Sequence, residues 1–305
     1  VRMRVAGNDP SITVNDTQEK DYAWGDVDLD GDIDLVCVRK QPFTSTGRDT
    51  NILFMNEGIA EGHAINGVLI DRTADYAVDS DVSGDQGFLT PTNDRDVVLA
   101  DLNGDGWLDM ATAPTLTDNS QKHLSHPRIY INLGESGGVW QGFRFEDARV
   151  PEMPPTAGPR FCSVAAGDID GDGDLDLYFG DYDSGGSQIF DYNNRLLINN
   201  GSGFFTDETN TRLTGEMSLS AFGAASAIAD MNGDGRDDLV VGDVNGSQLY
   251  ENGPAGFNIS NTVLPQFGAV QAMAAHDVDG DGDFDLIVGT SAGLRIIRSN
   301  LSQLN

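Results

Sequence analysis

Asp168-Ile169-Asp170-Gly171-Asp172-Gly173-Asp174-Leu175-Asp176 runs straight into Leu177-Tyr178-Phe179, and this junction of an acidic loop with a short apolar run decides the reading of the whole chain. Oxygen side chains stand at positions 1, 3, 5 and 9, and glycine stands at position 6. The same spacing occurs five times. The copies carry Asp26, Asp28, Asp30 and Asp34; Asp101, Asn103, Asp105 and Asp109; Asp168, Asp170, Asp172 and Asp176; Asp230, Asn232, Asp234 and Asp238; and Asp277, Asp279, Asp281 and Asp285.

In a tightly curled loop, alternate residues can all aim at one centre, and a calcium ion accepts roughly six to eight oxygens at such a centre. Gly31, Gly106, Gly173, Gly235 and Gly282 at position 6 suit a sharp turn with positive φ. The residue at position 7 varies in type (Asp32, Trp107, Asp174, Arg236, Asp283), which suits a ligand offered by the backbone carbonyl. Magnesium, with its stricter octahedron, fits less well. About five calcium ions are therefore expected as cofactors, one per loop. An EF-hand would need a glutamate at position 12 and flanking helices. Position 12 is instead Cys37, Thr112, Phe179, Val241 and Val288, within runs such as Leu35-Val36-Cys37-Val38 and Leu239-Val240-Val241 that read as buried strands.

Further apolar runs repeat behind each loop. One ends in asparagine: Ile52 to Asn56, Ile129 to Asn132, Leu196 to Asn199 and Leu249 to Asn252, with a weaker Leu294 to Ile297 in the last copy. Another follows around Val68 to Asp71, Phe143 to Asp147, Phe204 to Asp207 and Phe257 to Ser260. Strand, acidic loop and three more strands make the four-stranded antiparallel blade of a β-propeller, an all-β architecture that protects sheet edges by radial repetition. Successive loops begin 75, 67, 62 and 47 residues apart, each long enough for one blade, so five blades in a single domain over residues 1–305 are expected. The fifth copy lacks a fourth strand, and Val1 to Val5 is expected to complete it and close the ring.

Loops such as Gly25 to Leu35 and Gly167 to Leu177 resemble those of the VCBS or FG-GAP repeat family, the calcium-loop blades of integrin α-subunit heads and many secreted bacterial proteins. The resemblance spans nearly the whole chain. It implies calcium at the loop residues and a role in adhesion, carbohydrate binding or assembly.

The formal charge is −31, and the five loops hold 22 of the 49 acidic residues. Five divalent ions would still leave the chain near −21, which argues against nucleic acid or an anionic membrane as the partner. Cys37 and Cys162 fall in different repeat units and are expected as two buried thiols. No apolar run reaches the length of a membrane span. Starting at Val1 without a signal peptide, the chain reads as a processed protein or an excised piece. Millimolar calcium outside cells would fill even weak sites, so a secreted or surface location is expected.

Length variation between copies concentrates after the second strand of each blade, at residues 39–50, 113–127 and 180–194. Loops on a rigid scaffold commonly carry function. Scarce cations gather there: Arg39, Lys40 and Arg48, then Lys122, His123, His126 and Arg128, with Arg160 in a neighbouring link. They are candidates to receive an acidic sugar or a carboxylate of a protein partner, with Phe43, Phe190 and Tyr192 as stacking surfaces. An alternative is solvated loops whose cations pair with nearby aspartates. No nucleophile elbow, zinc pattern or phosphate loop is present. A binding or assembly module is therefore the leading expectation. A polysaccharide lyase using His123 and His126 beside Lys122 and Arg128, or a structural subunit of a fibre or surface layer, are the alternatives.

Overall fold

A computed structural model describes residues 19–299 except 42–47, 60, 64, 116–120, 154–159, 182–193, 214, 219–224, 244, 263, 266–267 and 291. The expected strand Val1 to Val5 and the aromatics Phe43, Phe190 and Tyr192 lie outside the described residues. The fold is all-β, a β-propeller of five small antiparallel sheets, and the chain divides into two compact units, 1–149 and 150–305.

The first unit holds two blades. Blade 1 pairs Glu19–Gly25, Asp34–Arg39, Ile52–Glu57 and Val68–Asp71 in chain order. Blade 2 pairs Asp94–Ala100, Asp109–Pro114, Arg128–Asn132 and Phe143–Phe145, and gains a fifth strand, Asp79–Ser80, which runs parallel to the last. A small hairpin of Glu135–Ser136 and Val139–Trp140 sits between its third and fourth strands. The second unit holds blade 3 (Phe161–Gly167, Asp176–Asp181, Arg195–Asn199, Phe205–Asp207) and blade 4 (Ala225–Ala229, Asp238–Gly242, Ser247–Gly253, Gly256–Ile259). Blade 5 has three described strands, Val270–His276, Asp285–Thr290 and Gly293–Ile297.

The second strand lies inside each sheet, with a paired strand on either side. It is buried at every residue in blades 1 to 4. Val36, Val38, Leu53 and Met55 of blade 1 pack with Val97, Met110, Tyr130, Phe143 and Phe145 of blade 2. In the second unit Tyr178, Leu196 and Ile198 pack with Leu239, Val241 and Tyr250, and Val240 and Leu249 pack with Leu286 and Val288. Cys37 and Cys162 are both buried free thiols, and burial pushes the Cys37 thiol up to about 12.

Two threonines fix the exits of fourth strands in the same way. The Thr73 hydroxyl donates to Asp71 and accepts the Leu53 amide, while Thr209 does the same with Asp207 and Leu196. A single helical turn follows each, Thr73–Tyr76 and Thr209–Arg212.

Candidate metal centres

Every acidic loop joins the first strand of a blade to the second, so position 9 is already the first residue of a buried strand. Asp34, Asp109, Asp176, Asp238 and Asp285 are all buried. One oxygen of each accepts the amide of position 2: Val27, Leu102, Ile169, Met231 and Val278 donate at 2.9–3.1 Å. The other accepts an amide at the end of the third strand: Asn56, Asn132, Asn199 and Asn252 donate at 2.8 Å, and Ser299 donates at 2.9 Å. The position-9 carboxylate therefore pins the loop to the sheet.

The loop itself curls around position 1. The position-6 amide donates to the position-1 carboxylate in all five copies, at 2.8–3.1 Å. The position-7 amide donates to position 5 at 2.8–3.1 Å. Position 6 is left-handed throughout, with φ between 85° and 97°, as the sequence predicts. Position 4 is left-handed too. Gly104, Gly171, Gly233 and Gly280 take φ of 74–80°, while loop 1 puts Leu29 there at φ 57°, a conformation that costs a non-glycine residue about 1–2 kcal/mol.

This curl brings three carboxylates together in three loops. Asp26, Asp28 and Asp34, then Asp168, Asp170 and Asp176, then Asp277, Asp279 and Asp285, each offer ligand atoms within 4.8 Å of one another. The donors are all oxygens, the set that hard cations prefer. Asp26 Oδ1 is buried with no hydrogen-bond partner, as an oxygen kept for a cation would be. In loops 2 and 4 the asparagine at position 3 turns its amide onto a carboxylate instead: Asn103 Nδ2 donates to Asp105 at 2.9 Å and Asn232 Nδ2 to Asp238 at 3.4 Å.

The electrostatics reflect crowded, partly desolvated acids. Burial raises the carboxyls of Asp34, Asp109 and Asp176 to about 7 and that of Asp238 to about 6, against the hydrogen bonds that lower them. Burial and then the neighbouring Asp30 raise Asp28 to about 6. Three arginines offset some of this charge: Arg212 lies 3.5 Å from Asp170, Arg236 3.1 Å from Asp234 and Arg298 3.1 Å from Asp279.

The candidate ligand-binding cations fall in several environments. Arg39 is buried and held by Thr50, with Asp49 at 3.4 Å; Lys40 is buried with its ammonium on the Gln41 carbonyl. Arg128 is fully enclosed and bidentate to Asp85, both contacts at 3.0 Å, with its guanidinium 3.6 Å from the Phe145 ring centre. His126 is buried against the Ser125 hydroxyl at 2.9 Å, and Lys122 pairs with Asp147. Arg48, His123 and Arg160 are partly exposed. The residues named for a lyase are thus split between core and surface.

Sequence reasoning treats the third-strand asparagine only as part of a turn motif. The structure gives Asn132 and Asn252 links to two loops each, for which the recurrence of asparagine at one place in four copies is the available signal.

Five blades with an acidic loop at the same place in each define a β-propeller in which carboxylate clusters in three of the loops could hold a metal ion. The chain belongs to the FG-GAP-like repeat family, whose pattern matches residues 101–179, 184–241 and 230–288. No curated protein matches the sequence. Among solved structures, the chain is similar to an Agrocybe aegerita lectin that recognises non-reducing terminal N-acetylglucosamine, with 17% identity and a TM-score of 0.53 over 93% of this chain and 64% of the lectin. It is also similar to the V. cholerae biofilm matrix protein Bap1, with 18% identity and a TM-score of 0.40 over 92% of this chain and 39% of that one. The chain therefore spans less than two thirds of either. Among the described residues no helix is long and apolar enough to cross a membrane.

Proposed function

We propose that the protein is a calcium-stabilised, extracellular β-propeller acting as one binding, adhesion or assembly domain, with glycans as the favoured ligand class. The observation that carries the calcium reading is the convergence of oxygen-only carboxylate trios around buried position-9 aspartates, together with the unpartnered Asp26 Oδ1. In this reading the side chains at positions 1, 3, 5 and 9 and the carbonyl at position 7 hold the ion. The ion neutralises acids that would otherwise repel one another at each strand-to-strand turn.

A propeller supplies rigid sheets from which variable loops project, the setting in which binding residues are commonly placed. Arg48, His123 and Arg160 are, besides the Asp147-paired Lys122, the partly exposed members of the cationic set, and these three are proposed as ligand contacts. The lectin's sugar recognition, on a related fold, is compatible with this reading.

A glycan array spanning acidic and neutral sugars, probed with calcium and again with EDTA, tests the proposal. Calcium-dependent retention of a defined glycan class, weakened by Arg48→Ala or Arg160→Ala, is expected. Release of unsaturated sugar products, or no retention of any glycan, would overturn the glycan-binding reading.

A further inference from the structure

In each unit an asparagine reaches from its own loop into the loop of the preceding blade. Asn252, at the third strand of blade 4, gives its amide N–H to Asp238 Oδ1 at 2.8 Å. Its side-chain Nδ2 donates both to the Asp237 carbonyl at 3.0 Å and to the Ile169 carbonyl of loop 3 at 2.7 Å. Ile169 N–H then donates to Asp176 Oδ2 at 2.9 Å. The first unit repeats the chain: Asn132 N–H to Asp109 at 2.8 Å, Asn132 Nδ2 to the Val27 carbonyl at 2.7 Å, and Val27 N–H to Asp34 at 3.1 Å. Both asparagines are buried.

Three hydrogen bonds thus connect the position-9 carboxylates of neighbouring loops. The residue between them, Ile169 or Val27, occupies position 2, flanked by the acids of positions 1 and 3. Holding both its carbonyl and its N–H fixes its two backbone torsions, and with them the directions of the acids on either side. Loop 3 has a second strut, since the Asp168 amide donates to Asp237 Oδ2 of loop 4 at 3.0 Å.

We propose that Asn132 and Asn252 are positioning residues that couple metal binding in adjacent loops, so that filling loop 2 raises the affinity of loop 1 and filling loop 4 raises that of loop 3. The proposal rests on the calcium reading above. Blade 5 supplies an internal control: Ser299 keeps the backbone bond to Asp285 at 2.9 Å but has no side-chain amide to extend toward loop 4.

Calcium titration of the intact chain, followed through the amide resonances of the position-6 glycines, reads each loop separately. Asn252→Ser, which copies blade 5, is expected to raise the calcium midpoint at Gly173 about fivefold, the size of a modest coupling between sites, while Gly282 stays in place. Asp234→Ala, which disables loop 4 with Asn252 intact, is expected to move Gly173 by a similar factor. It decides the matter alone if Asn252→Ser does not fold. A Gly173 midpoint unmoved in these variants would overturn the coupling while the glycines still report calcium. Glycine resonances that never respond to calcium would instead remove the metal reading, and the coupling with it.

Discussion

Replacing Asp85 with asparagine should destabilise the first unit by about 3–5 kcal/mol, because it strands a charge in the core. Both oxygens of Asp85 receive a guanidinium N–H of Arg128 at 3.0 Å, and neither side chain is exposed. The rest of the guanidinium is enclosed: Nε donates to the Tyr130 hydroxyl at 2.7 Å, Nη2 to the Gly87 carbonyl at 3.3 Å, and the group lies against Phe145. Arginine does not shed its proton in a protein, so it cannot adapt by becoming neutral. Charge-assisted hydrogen bonds contribute about 1.5–3 kcal/mol each, and an asparagine would retain one of the two at reduced strength, which with the uncompensated charge gives the quoted range. For a unit of this size the melting temperature should fall by roughly 10 °C. Trp24, Trp107 and Trp140 all lie in the first unit, so urea denaturation followed by tryptophan fluorescence reports that unit. The double variant Asp85→Leu/Arg128→Met should recover most of the loss, since an apolar pair has no charge to strand. A loss below about 1 kcal/mol for Asp85→Asn, as for an exposed pair, would refute the reasoning.

The metal-free protein should gain stability as pH falls from about 7 toward 4, because Asp34, Asp109 and Asp176 have folded-state values of about 7, above those of the unfolded chain, so the native state holds more protons across that window. Calcium competes with those protons, so lowering pH from 8 to 5 should weaken loop 2 about 100-fold and loop 4 about 10-fold, and loops 1 and 3 more than loop 2 because Asp28 and Asp170 are raised as well; calorimetric affinities unchanged with pH would contradict this. On chelation loops 2 and 4 should empty first, having one carboxylate fewer at position 3, and Gly106 and Gly235 resonances reverting last would argue otherwise. Gly167→Ala should cost the second unit about 1–3 kcal/mol, since the new Cβ would lie 2.2 Å from Ile228 Cγ2; an unchanged unfolding midpoint would show that the contact yields freely.

The five loops, their flanking strands and the third and fourth strands of the blades were legible because each repeats a local pattern that does not depend on distant partners. Glycine at position 6 announced its left-handed turn, whereas Leu29 concealed the same requirement at position 4 of loop 1. The fate of Arg128 was not legible, since its partner Asp85 lies 43 residues away and nothing near Arg128 in sequence marks it as buried. Asp79–Ser80 was equally hidden, a two-residue strand that exists only because Arg144 and Phe145 offer it an edge. The reach of Asn132 to Val27, across 105 residues, depends on blades lying side by side, which a single repeat does not encode.

Thermal unfolding of the intact chain in calcium and in EDTA tests the central claim most directly. An ion that binds the native loops and not the unfolded chain at 100 times its dissociation constant adds about 2.7 kcal/mol per site, so a large rise in melting temperature that scales with calcium concentration is predicted. Identical melting curves with and without calcium would contradict the account.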